Sequence, residues 1–190
     1  MPPMNERLRF LGAFLRNRRH TGSLVPSSRF LARRMVDAVG PLAADDFLVE
    51  LGPGTGVFTK RLAEMYPANR ILAIELHEGM AQTLANRFPN LTVVCGCASK
   101  LPEHCRKLGL HPSRIHAVIS GLPMLSLPEE ARERIFQTLS DTLPQGARYV
   151  QFTYRRRAWD RLELPGFRLL QHKKVLWNFP PATVLPFERI

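Results

Sequence analysis

The stretch Glu50-Leu51-Gly52-Pro53-Gly54-Thr55-Gly56 constrains this chain more than any other. The apolar run Phe47-Leu48-Val49 leads into it, and helix-forming Phe58-Thr59-Lys60-Arg61-Leu62 follows. That order predicts a buried strand, a glycine turn and a helix. Glycines let the backbone approach a ligand with no side chain in the way, and the free N–H groups of the next helix face anything anionic. A second apolar run, Ile71-Leu72-Ala73-Ile74, closes on an acid, Glu75. An acid about 20 residues beyond such a turn is where a doubly wound α/β domain places a ribose-binding carboxylate.

The remainder alternates in the same way. Strands are expected at Phe47–Leu51, Arg70–Leu76, Leu91–Cys95, Ile115–Ser120 and Tyr149–Tyr154, with helical segments near 57–66, 78–88, 102–108 and 128–142 between them. Two more extended runs, Phe167–Trp177 and Ala182–Glu188, face each other across Asn178-Phe179-Pro180-Pro181. The pattern predicts a mostly parallel sheet with helices on both faces, closed by an antiparallel pair. Ahead of it come a helix over Asn5–Arg19, a turn over Thr21–Pro26, and a second helix capped by Ser27 or Ser28 and reaching Val39.

With 190 residues and no internal repeat, the chain reads as one domain, residues 27–190, preceded by an N-terminal unit, residues 1–26. Cys95, Cys97 and Cys105 are too few for a disulfide framework and lack histidines at metal-ligand spacing, so reduced thiols, no metal and a cytoplasmic setting are expected. No run reaches the roughly 18 apolar residues of a spanning helix. The 27 Lys+Arg against 16 Asp+Glu give a net charge of +11, which attracts polyanions, nucleic acid and anionic membrane alike.

Residues 5–19 sharpen that choice. At about 100° per residue, Leu8, Phe10, Leu11, Phe14 and Leu15 fall within an arc of roughly 160°, opposite Asn5, Arg9, Arg16 and Arg19. Such a helix can lie in the headgroup region of a bilayer, its arginines against anionic lipid. The alternative is a lid packed on the domain, and the two can hold in sequence.

The spacing of the glycine turn separates nucleotide ligands. A dinucleotide fingerprint needs glycine where Val57 stands, and the Lys-Ser/Thr ending of a P-loop is absent. The GxGxG turn with Glu50 two places ahead resembles motif I of class I S-adenosylmethionine methyltransferases. That resemblance implies a seven-stranded Rossmann-like sheet. It also implies that Glu50, Gly52, Gly54, Thr55 and Gly56 hold the methionine part of the cofactor, and that Glu75 with neighbouring Leu76 holds the ribose. Where many of these enzymes carry an acid for the adenine amino group, this chain reads Gly96-Cys97-Ala98-Ser99, which leaves Ala98 backbone or the Ser99 hydroxyl to substitute.

Strand four bears on substrate class. Adenine N6-methyltransferases end it with an amide or acid and an aromatic ring to hold a flipped base. Here Ser120-Gly121-Leu122-Pro123-Met124-Leu125 offers glycine and methionine instead. Methionine suits an acyl chain or irregular apolar surface better than a planar base.

Gly22-Ser23-Leu24-Val25-Pro26-Ser27-Ser28, the ELGPGTG turn, Ser120–Leu125 and Asn178-Phe179-Pro180-Pro181-Ala182 together resemble the bacterial phospholipid N-methyltransferases. Cys97 departs from that family's usual Gly-Asp-Ala. The resemblance implies methylation of phosphatidylethanolamine towards phosphatidylcholine by an enzyme held peripherally at the inner face of the cytoplasmic membrane. Tyr154 is then the candidate to face the amine, Ser120 an amine or cofactor contact, and His20 a proton carrier. Phe10, Phe14, Arg9, Arg16, Ser27, Ser28 and Met124 would meet lipid. An rRNA or other nucleic-acid adenine methyltransferase is the alternative enzyme, and a methyltransferase-fold lipid- or RNA-binding protein the non-catalytic one.

Overall fold

A computed structural model describes residues 28–160 and 164–190. The expected helix over Asn5–Arg19, with Phe10, Phe14, Arg9, Arg16, His20 and Ser27, lies outside the described residues.

The described chain opens with α1 (Arg29–Asp37), whose first turn is closed by Ser28: its hydroxyl accepts the Leu31 N–H at 3.2 Å. Leu31, Ala32, Met35 and Val36 form its buried stripe. Then β and α alternate: β1 (Phe47–Leu51), α2 (Val57–Met65), β2 (Ile71–Glu75), α3 (Glu78–Arg87), β3 (Thr92–Cys95), α4 (Leu101–Lys107), β4 (Ile115–Ser120), α5 (Glu129–Thr142) and β5 (Arg148–Thr153). A short α6 (Arg156–Trp159) precedes β6 (Phe167–Leu169), β7 (Lys173–Val175) and β8 (Ala182–Arg189).

The strands form one sheet in the order β3-β2-β1-β4-β5-β8-β6, with β7 also on β8. Pairing is parallel from β3 to β5 and antiparallel at β8 and beyond. Helices cover both faces, which is why all five residues of β1 are buried. Leu48 and Ala73 meet α1, α2 and α3 through Leu31, Phe58 and Leu84, while Val49 and Ile74 meet α4 and α5 through Leu101 and Phe136. Strand order reverses between β1 and β4, so the crevice at their carboxyl ends is the place for a ligand.

The run expected as one strand over Phe167–Trp177 is two pieces, β6 and β7, lying along one edge of β8. Pro186 explains the break. Its carbonyl accepts the Leu170 N–H at 2.8 Å, but proline has no N–H to return, and the ladder lapses there. Eight strands thus fill the seven positions expected. Among the described residues no helix is long and apolar enough to cross a membrane.

Candidate active site

The glycine turn takes the left-handed form its composition allows: φ is +65° at Gly52, +57° at Gly54 and +77° at Gly56. Close approach reinforces that requirement. A Cβ on Gly52 would lie 2.5 Å from Leu122 Cδ2, and one on Gly121 only 2.4 Å from the Gly52 carbonyl oxygen. The loops after β1 and β4 therefore pack backbone against backbone, joined also by the Gly121 N–H donating to Leu51 O at 2.8 Å.

Glu75 ties this turn to the next strand. Its Oε2 accepts the Gly54 N–H and its Oε1 the His77 N–H, both at 3.0 Å. Each oxygen keeps a further lone pair, so two vicinal hydroxyls could still be received.

Glu50 is the site's unresolved charge. It is fully buried, and neither carboxylate oxygen has a hydrogen-bond partner. Burial pushes its pKa up to about 8, with the hydroxyl and backbone of nearby Thr59 pulling the other way and the Glu75 charge adding a smaller rise. An orphaned buried carboxylate is costly until it meets a donor or a cation. The α-ammonium of S-adenosylmethionine is such a group, so glycine turn, Glu50 and Glu75 together fit that cofactor.

The loop after β3 is braced from below. A ring nitrogen of His104, on α4, lies 3.1 Å from Cys97 O, and the ring fills the space a Cβ on Gly96 would need. Thr138, on α5, shares its one hydroxyl proton between Arg134 O at 2.8 Å and Ser99 O at 3.1 Å. The Cys97 thiol and Ser99 hydroxyl are paired at 3.1 Å, and Ala98 is half-buried beside them. Leu76 is half-buried and Thr55 exposed, its carbonyl accepting from Arg87 at 3.2 Å.

Beneath the β4 loop lies a buried polar cluster. Ser120 Oγ accepts the Leu122 N–H at 3.3 Å. The Gln151 amide accepts from Tyr149 OH at 2.8 Å and donates to Leu122 O at 3.0 Å and Phe152 O at 2.9 Å. Burial raises the Tyr149 phenol, so it stays protonated as the donor. Ser120 is thus enclosed and engaged in shaping the loop. Met124 is likewise core, 1% exposed and packed with Leu122 and Leu127, and presents nothing to an acyl chain in this structure. The Ser28 hydroxyl oxygen accepts in the cap of α1.

Tyr154 does reach the surface, just past β5. Its ring stands edge-on to Phe152 at 5.5 Å, and Phe152 edge-on to Phe58 at 5.7 Å, an aromatic row running from the glycine turn's helix to the rim. Of the adjoining arginines, Arg156 is paired with Asp160, while Arg155 and Arg157 are exposed.

Sequence reasoning missed Gln151, His104 and Thr138. A glutamine inside the apolar run Tyr149–Tyr154 was the one visible signal; the other two acquire their roles through tertiary contact.

The parallel sheet with its terminal antiparallel strands, and a glycine turn, buried acid and strand-end acid at the switch point, define the Rossmann-like class of nucleotide-derived cofactor binders that includes the class I methyltransferases. A family model described as a methyltransferase domain matches residues 48–146. The chain belongs to that family, the S-adenosylmethionine-dependent methyltransferases. It is 30% identical over 177 residues to the ornithine lipid N-methyltransferase of Singulisphaera acidiphila, covering 91% of each chain. Ribosomal RNA small subunit methyltransferase A of Thermotoga petrophila is 35% identical over 77 residues, 39% of this chain and 28% of that one. In fold it resembles a TehB-like S-adenosylmethionine-dependent methyltransferase from Corynebacterium glutamicum, with a TM-score of 0.60 at 16% identity over 98% of this chain and 100% of that one.

Proposed function

We propose that this protein methylates the primary amine of a membrane lipid, with the ethanolamine head group of phosphatidylethanolamine as substrate, working peripherally at an anionic membrane surface on the cytoplasmic side. The observation that carries the reading is the breadth of the likeness to a lipid N-methyltransferase, 91% of the chain, against 39% for the rRNA enzyme. The β4 loop agrees with it. Gly121 stands where a base-handling amide would be, jammed against Gly52, and Met124 is buried where a stacking ring would be.

S-Adenosylmethionine supplies, when bound, a methyl group on a positively charged sulfur. Glu50 would balance the cofactor's ammonium, Glu75 would receive its ribose hydroxyls, and the Gly96–Ser99 loop would meet its adenine. The lipid amine must arrive neutral to attack, yet an alkylamine near the lysine value of about 10.4 is protonated at pH 7. Low-dielectric surroundings disfavour the ammonium, and the row Phe58–Phe152–Tyr154 supplies apolar surface beside the crevice. Tyr154 at the rim can hold the incoming cation against its ring and accept a hydrogen bond from it with its hydroxyl, and the proton then passes to water as the amine is desolvated. Ser120 and Gln151 keep the neighbouring loop in shape.

A second reading has its own support: the similar enzyme's lipid is an ornithine lipid, which also carries a primary amine. Initial rates on vesicles of either lipid, with labelled cofactor and chromatography of the lipid extract, separate the two. Faster labelling of phosphatidylethanolamine is expected; labelling of ornithine lipid alone would move the head-group assignment.

A further inference from the structure

We infer that the β7–β8 turn, Leu176–Pro181, is a bilayer-inserting loop, a membrane contact separate from the N-terminal basic segment. The inference rests on the lipid reading above and adds to it where the protein touches the membrane. Leu176, Trp177 and Phe179 are 72%, 81% and 80% exposed, although large apolar side chains are ordinarily withdrawn from water. They are adjacent in the chain, and Phe30 of α1 joins them, its ring 6.5 Å from that of Trp177. A cluster of this kind marks an interaction site.

The loop is held, not loose. Asn178, between the exposed rings, is 4% exposed; its amide donates to Pro180 O at 2.7 Å, and its Oδ1 accepts the Ser28 N–H at 3.0 Å. The buried asparagine thus turns its neighbours outward, and two consecutive prolines stiffen the return. Apolar side chains on a projecting turn suit insertion among lipid chains, and tryptophan favours the interfacial depth.

Charge names the occupant. From Leu164 to Phe187 there is no acidic residue; Arg168 is paired with Glu188, and His172, Lys173 and Lys174 precede the turn. Lys173 and Lys174 are exposed, and the Arg29 guanidinium lies 5.0 Å from the Phe30 ring centroid at the same corner. Basic residues beside an apolar tip match an anionic bilayer, whose phosphates they meet while the rings enter. The Ser28–Asn178 bond ties the start of α1, with Phe30 and Arg29, to this loop.

Trp177 itself reports the outcome. Vesicles of phosphatidylethanolamine and phosphatidylglycerol, with brominated-chain phosphatidylcholine added, should shift its emission to the blue and quench it. Trp177→Phe gives the background from buried Trp159. Trp177→Ser with Phe179→Ser should weaken vesicle partition on the order of tenfold, with cofactor affinity by calorimetry unchanged as the check on folding. Protein that pellets with vesicles while Trp177 is neither shifted nor quenched would overturn the inference and leave the lipid reading intact. Trp177 already shielded from acrylamide without vesicles would overturn it too, showing the patch covered by residues 1–27 or a second copy. Failure to pellet, together with no lipid methylation, would remove the lipid reading and this loop's role together.

Discussion

The Glu75 carboxylate accepts the backbone N–H of Gly54 at 3.0 Å, fastening the end of β2 to the middle of a turn 21 positions earlier in the chain. One side chain therefore both shapes the glycine cradle and offers itself to the ribose. Glu75→Gln keeps the size but sets an amide NH₂ against a backbone N–H on one side. Cofactor affinity measured by calorimetry should fall about tenfold or more, the scale of a lost charge-assisted hydrogen bond. Unchanged affinity would separate Glu75 from the cofactor.

Glu50 carries a pH signature. With its folded pKa raised to about 8 from an ordinary 4.5, the folded state holds the proton more tightly than the unfolded one. The stability it contributes is complete below pH 4.5 and is lost as pH rises through about 8. Glu50→Gln should match wild type in thermal midpoint near pH 5 and exceed it near pH 9. Parallel curves would mean that the carboxylate is not desolvated.

The same titration should appear in binding. A carboxylate protonated at pH 7 must release its proton to meet an ammonium, so cofactor affinity should rise between about pH 6 and 8 and level off. Calorimetry in buffers of different ionisation enthalpy reads that proton directly, and Glu50→Gln should abolish it. Proton release that persists in the variant would place it elsewhere.

Gly121 and Gly109 separate close approach from backbone strain. Gly121→Ala drives a methyl into the Gly52 carbonyl and should cost about 1–3 kcal/mol together with cofactor affinity. Gly109→Ala, at φ +67° in open space, should cost about 1–2 kcal/mol of strain and no affinity. Denaturant midpoints and calorimetry on both variants make the comparison; equal affinities would detach the β1–β4 loop contact from binding.

The strand and helix order was legible because β1, β2, β4 and β5 are apolar runs stopped by glycine, acid or helix-formers, and their observed bounds fall within a residue of those expected. The glycine turn and Glu75 were legible for the same local reason. The split of the last edge strand was not, since it depends on which side of β8 Pro186 turns its missing donor. Nor was the engagement of Ser120: a serine at a strand end looks available until Leu122 folds back on it. Gln151, His104 and Thr138 brace loops from other elements, and no spacing in the chain announces such contacts.

The most direct measurement is the destination of the methyl group. Purified protein, S-adenosylmethionine labelled in its methyl, vesicles of phosphatidylethanolamine with phosphatidylglycerol, and ribosomal RNA in the same tube should yield label in the lipid extract as methylated ethanolamine head groups. Label confined to RNA, or none in lipid despite bound cofactor, would contradict the proposed reaction.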